Sequence, residues 1–189
     1  MLYILEHLEP RLYKWCYLEY QHISQIVGKN KLMFTNIKTE SQRKKLLPFG
    51  KVEKRSVTEL NLQRACILDP FAQETLKPED KLLFDYFIFG GILGDYPMKA
   101  RTKVELSNKL QAATRNIGKE QFPTDNAFYV VKQIIENNKQ LSDLKFKDEL
   151  ELPIKEGESV HLPFRYVLIK GKPLVYPKLM HYLKTKKGF

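Results

Sequence analysis

The nine residues FIFGGILGD, Phe87 to Asp95, decide how this chain is read. They end a continuous apolar run, Leu82, Leu83 and Phe84 and then Tyr86 to Phe89, in the adjacent glycines Gly90 and Gly91. Gly94 and Asp95 follow within four residues. Apolar runs bounded by glycine suit a strand buried on both faces of a parallel sheet. Glycine at the strand's end lets the backbone turn sharply and come close to a ligand. In open α/β sheets, ligands sit beyond the carboxyl ends of the strands. The stretch predicts a strand over residues 83–89 and a ligand loop from Gly90 to Asp95. A tight turn with no ligand would use the same residues.

Outward from this strand, the chain alternates between strand and helix patterns. Residues 2–5 read as a strand, stopped by charge and Pro10. Residues 14–27 carry Trp15, Leu18, His22 and Ile26 at helical spacing, with Gly28 as a stop. Residues 31–37 read as a strand, 40–47 as a polar helix, and 65–68 as a buried strand closed by Asp69-Pro70. Residues 51–62 fit no clear pattern beyond a short helix at 56–60. A short helix over 101–109 and a strand over 110–114 follow. Thr124 is placed to cap a helix over 125–138, with Phe128, Val131, Ile134 and Ile135 as its apolar face. Residues 145–152 and 162–169 alternate, and 177–184 form a closing helix. This order predicts a largely parallel α/β sheet with helices on both faces. The 189 residues suit one domain.

Composition narrows the partners. Lys and Arg outnumber Asp and Glu by 32 to 22, a net charge of +10. That favours an anionic partner such as RNA or a ribosomal surface, although a solvated basic surface reads the same way. The basic clusters, Arg43 to Lys45 and Lys184 to Lys187, are modest, and the second reads as a tail. Cys16 and Cys66 lie far apart with no CxxC, as expected in a reducing compartment. The four histidines show no metal-ligand spacing, so no metal is expected. The N-terminus meets acid at Glu6 and does not read as a signal peptide. No apolar stretch approaches the roughly 20 residues of a membrane helix. A soluble cytoplasmic protein with no membrane partner is the expectation. No GxGxxG follows the first strand, which disfavours a dinucleotide site, and a P-loop is absent because no GK[ST] occurs.

Four segments in order carry more than fold class: YILEH…W…LEY (Tyr3 to Tyr20), LDP (Leu68 to Pro70), FDYFIFGGILGD (Phe84 to Asp95, with Pro97, Arg101 and Thr102), and TDNA…LPFRYVL (Thr124 to Ala127, Leu162 to Leu168). Together they resemble the SPOUT methyltransferase superfamily. Within it the chain is similar to the small family of the fungal SPOUT-class protein-arginine methyltransferase and its archaeal relatives. The resemblance implies a mostly parallel, Rossmann-like α/β sheet flanked by helices, with a deep trefoil knot. The knot would span about residues 84–138, with an extension of strand and helix over about 145–189. Knots are rare exceptions to the ordinary connection rules. The resemblance further implies S-adenosylmethionine (SAM) as cofactor and S-adenosylhomocysteine (SAH) as product. The implied substrate is an arginine of a small-subunit ribosomal protein, with RNA methylation as the alternative and RNA contact left open. A monomer is favoured over the dimer usual in the superfamily.

Three segments match the cofactor loops of that family. The first runs from Phe89 through Gly90, Gly91, Leu93 and Gly94, with Leu68 at the neighbouring strand end. The second runs from Leu110 to Arg115 and on through Ile117 and Gly118. The third is Gln121 to Thr124, including Phe122. Leu93, Ile117 and Phe122 would wall the adenine, and a branched side chain at Gly91 would block the ligand's approach. An arginine substrate is cationic and needs carboxylates to hold it and receive its proton. Candidate catalytic acids are Asp95, Glu6, Asp69 and Glu19. His7, Glu9 and Arg165 are candidate substrate contacts. Each has a structural alternative: Asp95 and Asp69 as turn residues, Glu6 and His7 as a polar rim, and Glu19 as an ion-pair partner for Arg101 or Arg165.

Overall fold

The computed structural model describes residues 1–94, 96–155 and 157–185. In chain order the elements are β1 (Leu2–His7), α1 (Lys14–Val27), β2 (Leu32–Thr35), α2 (Glu40–Leu46), β3 (Lys51–Val52), β4 (Ala65–Leu68), β5 (Tyr86–Gly91), β6 (Ala113–Arg115), α3 (Thr124–Ile135), β7 (Phe146–Lys155), β8 (Glu158–Ile169), β9 (Lys172–Pro173) and α4 (Pro177–Thr185). Six strands form one parallel sheet in the order β3-β2-β1-β5-β4-β6. The last three form an antiparallel sheet, β7-β8-β9.

The central strands are the apolar runs of the sequence. Tyr3 and Leu5 of β1, Cys66 of β4, and Phe87 and Phe89 of β5 belong to the core shared with α1 and α3. The Phe128 ring of α3 stacks on Phe89 and lies 6.1 Å from Tyr3. Ile4, Ile67 and Ile88 alternate to the other face, as a period of two requires. There Val57 and Leu106 cover them from short helical turns at Val57–Glu59 and Lys103–Ser107. Full helices therefore pack on one face, and the expected helix over 101–109 shrinks to a single turn on the other.

Local chemistry sets the boundaries. Gly28, at φ +85°, ends α1 by donating its N–H to the Ser24 carbonyl. Thr39 and Gln42 form a reciprocal capping box that starts α2. In contrast to the expected cap, Thr124 is already the first residue of α3, and Pro123 occupies the cap position. The strand expected over 83–89 begins only at Tyr86 and continues through both glycines, pairing Gly90 with Glu6 and Gly91 with His7. Leu82 and Leu83 are instead 70% and 52% exposed. Asp80 accepts the Lys77 N–H and the chain turns at Pro78–Leu82, so these leucines never enter the sheet.

The strand expected at 110–114 is likewise displaced to Ala113–Arg115. The alternating stretches 145–152 and 162–169 are the β7–β8 hairpin. It is fastened to the main core by Val167, whose N–H donates to buried Asn126 of α3.

Candidate active site

A cleft of about 810 Å³, its open mouth included, lies beyond the carboxyl ends of β4, β5 and β6. This is where a parallel sheet places its ligands. Leu68 and Asp69 reach it from β4, Phe89 and Gly90 from β5, and Ile117 and Gly118 from the loop after β6. Gln121, Phe122 and Thr124 close it at the start of α3. Eight expected cofactor positions thus converge: Leu68, Phe89, Gly90, Ile117, Gly118, Gln121, Phe122 and Thr124. The remaining wall, Pro70, Phe71, Ile92, residues 98–102, Glu120 and Ala127, was not foreseen. Its signal lay in the motifs themselves, since Pro70 directly follows Asp69 and residues 98–102 follow the glycine loop.

The lining suits the chemistry of SAM. Apolar walls suit adenine, and Gly90 and Gly118 let the backbone approach it. A Cβ on Gly90 would lie 3.0 Å from Ile92 Cδ1 and 3.2 Å from Thr102 Oγ1, so the missing side chain is part of the cleft's space. Gly118 holds φ +109°, and its N–H is fixed by the Asn116 side chain.

Other expected cofactor positions lie elsewhere. A Cβ on Gly91 would meet Tyr20 Oη at 2.5 Å and Leu5 Cδ2 at 2.6 Å, so this glycine serves the packing of β1 against α1. Leu93 is held by its N–H, which donates to Glu9. Gly94 lets the loop pass Gln121 and the Phe164 ring. Leu110 packs on the opposite face beside the Leu106 cluster. The Arg115 guanidinium pairs with Asp80 and Glu74 and lies over the Phe84 ring, tying residues 74–84 to β6. Asp95 lies outside the described residues.

The acids divide sharply by their partners. Glu6 is buried on the face away from α1 and accepts from Thr35 Oγ1, Ser56 Oγ and the Val57 N–H. Those donors make it a structural node. Asp69 lines the cleft, but one oxygen accepts from the Phe71 N–H and the other from Ser107. Glu9 accepts from the Leu93 N–H and pairs with Arg101 at 2.9 Å. Arg165 grips Asp148 with two nitrogens and Glu120 with a third. The ion pair expected between Glu19 and Arg101 or Arg165 is therefore absent.

Glu19 is buried on α1, where the Trp15 indole donates to it at 3.1 Å. Burial, and then the charge of Asp125, push its carboxyl well above the usual range, while the Trp15 indole and the side chain of Thr124, a residue of the cleft wall, oppose the shift. Asp125 is itself engaged by His22 at 2.6 Å and by Asn126. Glu19 does not itself line the cleft; its link to the wall is Thr124, and its side-chain donors among the described residues are neutral. His7 sits at the end of β1 with Nδ1 2.8 Å from Tyr20 Oη. Its Nε2 is buried and has no partner among the described residues. Burial draws its pKa below the ordinary value, against the charge of Glu9. Among the described residues no group of three or more His, Cys, Asp or Glu is placed to hold a metal ion.

Comparison with known proteins places this geometry among relatives. A family model described as "Protein arginine N-methyltransferase SFM1-like" matches residues 2–188. Protein arginine N-methyltransferase SFM1 of Saccharomyces cerevisiae (strain ATCC 204508 / S288c) is 35% identical over 201 residues, covering 97% of this chain and 94% of that protein. The crystal structure of yeast SFM1 complexed with SAH superposes with a TM-score of 0.88 at 34% identity, over 97% of this chain and 94% of that one. The SAM complex gives the same score and identity over 97% and 89%. Dual specific Trm10 from Thermococcus kodakaraensis shares the fold at 17% identity and a TM-score of 0.59, over 76% of this chain and 96% of that one.

Proposed function

The chain belongs to the SFM1-like protein arginine N-methyltransferase family, and from that premise we propose that it methylates an arginine side chain with SAM as donor. The observation that carries the reading is the cleft, where three strand ends meet the start of α3. The walls Leu68, Phe89, Ile117 and Phe122 would hold the adenine. Gly90 and Gly118 would admit the ligand to the backbone, and Thr124 with the first N–H groups of α3 would meet its polar groups. Bound SAM supplies an electrophilic methyl group.

The chain must then hold a guanidinium and take its proton. Guanidinium is protonated in water, with a pKa above about 12, so the attacking nitrogen has to surrender a proton to become nucleophilic. Glu19 suits this task. Burial raises its proton affinity, and an incoming guanidinium would favour its ionised form before it takes the proton, with Asp125 adding negative charge beside it. A cation docking near these two acids would compensate charge that burial otherwise penalises. Asp69 and Glu9 would shape the cleft through their hydrogen bonds rather than react.

A small-subunit ribosomal protein is the proposed carrier of the arginine. Glu120 on the cleft wall, which Arg165 ties to Asp148 of β7, supports a cationic protein segment as guest. RNA methylation is the second reading, favoured by the net charge of +10. A cytoplasmic monomer is proposed as well, as is a threaded chain. Support for threading comes from the connections: residues 103–107 cross one face at Leu106, β6 pairs beyond β4, and α3 returns to the other face.

The test is incubation with methyl-labelled SAM and ribosomal fractions, followed by separate protease and ribonuclease digestion. Label that survives ribonuclease and is lost to protease is expected. The reverse pattern transfers the assignment to RNA.

A further inference from the structure

Away from the cleft, α1 and α4 pack side by side through Leu18, Leu179 and Leu183 and leave an open groove between them. Its apolar floor includes Leu18 and Tyr182, and its rim carries Lys14, Lys178 and His181. Neither helix offers an exposed acid: α4 contains none, and Glu19, the acid of α1, is buried on the side facing α3. The cations of the groove are therefore not neutralised from within it. Gln21 accepts from Lys178 at 3.1 Å and steadies the ammonium at the rim. Lys14 lies 5.3 Å over the Tyr17 ring.

We propose that this groove is a docking surface for single-stranded RNA. The lining points to that chemistry. Among the described residues that line it, side chains present ammonium, imidazole, hydroxyl and ring, and none presents a carboxylate or amide oxygen. A phosphate backbone is acceptor-only and suits a donor-rich rim. Bases have apolar faces, and Tyr182 with the neighbouring aliphatic floor offers them a stacking platform. The stripe Lys178, His181, Tyr182 and Thr185 recurs at i, i+3, i+4 and i+7, so it runs roughly 10 Å along one helix face. That length accommodates about three nucleotides at ~3.4 Å each. The groove is separate from the cleft and does not depend on which substrate the cleft methylates.

The experiment is fluorescence anisotropy of a labelled oligouridylate of about 15 nucleotides, titrated with the full chain at low and moderate salt. The wild-type protein is expected to bind with an affinity that falls with salt. Lys14→Gln with Lys178→Gln is expected to weaken binding about tenfold and lower the salt slope by about 1.4, at ~0.7 per lost phosphate contact. Tyr182→Ala is expected to weaken RNA binding while leaving binding to a polyglutamate of equal length unchanged. SAM calorimetry should match wild type in each variant, and the lysine pair should keep the wild-type melt. If the wild type fails to bind, if the lysine pair binds RNA as well as wild type, or if polyglutamate or anionic vesicles bind as tightly as RNA, the proposal is overturned.

Discussion

At the scale of single residues, two adjacent glycines do different work. Gly90 leaves room in the cleft, whereas the hydrogens of Gly91 touch Tyr20 and Leu5. The sequence shows the pair but cannot assign them, because alternation along a strand depends on where the strand stops. It stops after Gly91 here, not before Gly90. Gly90→Val is expected to weaken SAM binding by at least about tenfold in calorimetry with a near-native melt. Gly91→Ala is expected to lose about 1–3 kcal/mol in urea denaturation through overpacking. A Gly91→Ala protein as stable as wild type would refute that placement.

Glu19 makes a second pair of predictions. Glu19→Gln should lower kcat by about 10²–10⁴, the usual contribution of a general base, with SAM affinity preserved. Unchanged turnover would remove Glu19 from the chemistry. Because its folded pKa is raised, the carboxyl supports folding fully below its unfolded pKa of about 4.5 and loses that support as pH climbs toward the folded value. The Gln variant should therefore gain in melting temperature relative to wild type as pH rises from about 4.5 to 8. His7 runs the other way. Its lowered pKa gives support that is present above about 6.5 and fades as pH falls below it.

At the scale of elements, helix α1 was legible to its ends. Its spacing repeats cleanly, and Gly28 forces the stop. The short elements were not. Leu82, Leu83 and Leu110 look like strand residues, yet the hydrogen bonds of Asp80 and the turn before β6 keep them out of the sheet. The partner of α3 was also hidden, because Asn126 reaches a segment about 40 residues away. It accepts from the Val167 N–H and donates to the Leu174 carbonyl while fully buried. Asn126→Ala would leave both groups unpaired, each worth about 1–3 kcal/mol. A drop of at least about 2 kcal/mol in chemical denaturation, with faster amide exchange at Val167, is expected. Exchange unchanged at Val167 would show that the pin carries no strain of the joint.

At the scale of the whole molecule, the parallel sheet and the cleft at its carboxyl edge follow from apolar runs and glycine positions. The wall contributed by residues 98–102 and the carboxyl behind Thr124 do not, since both depend on long-range packing. The C-terminal sheet is equally a product of contacts across the chain. Leu150, Leu162 and Tyr166 form a core with Trp15 of α1, and α4 covers Leu18. A chain cut after residue 144 would bare these side chains of α1. It is expected to aggregate or to melt without a cooperative transition, and a soluble, two-state truncated protein would contradict this.

The Arg165 N–H donates to the Gln121 carbonyl at 2.8 Å, and Gln121 also lines the cleft. Gln121 thus belongs both to the cleft wall and to the strap that carries β8. When the donor loads, stiffening of Gln121 should travel outward along the hairpin and slow deuterium uptake at Arg165, a residue that the donor itself need never touch.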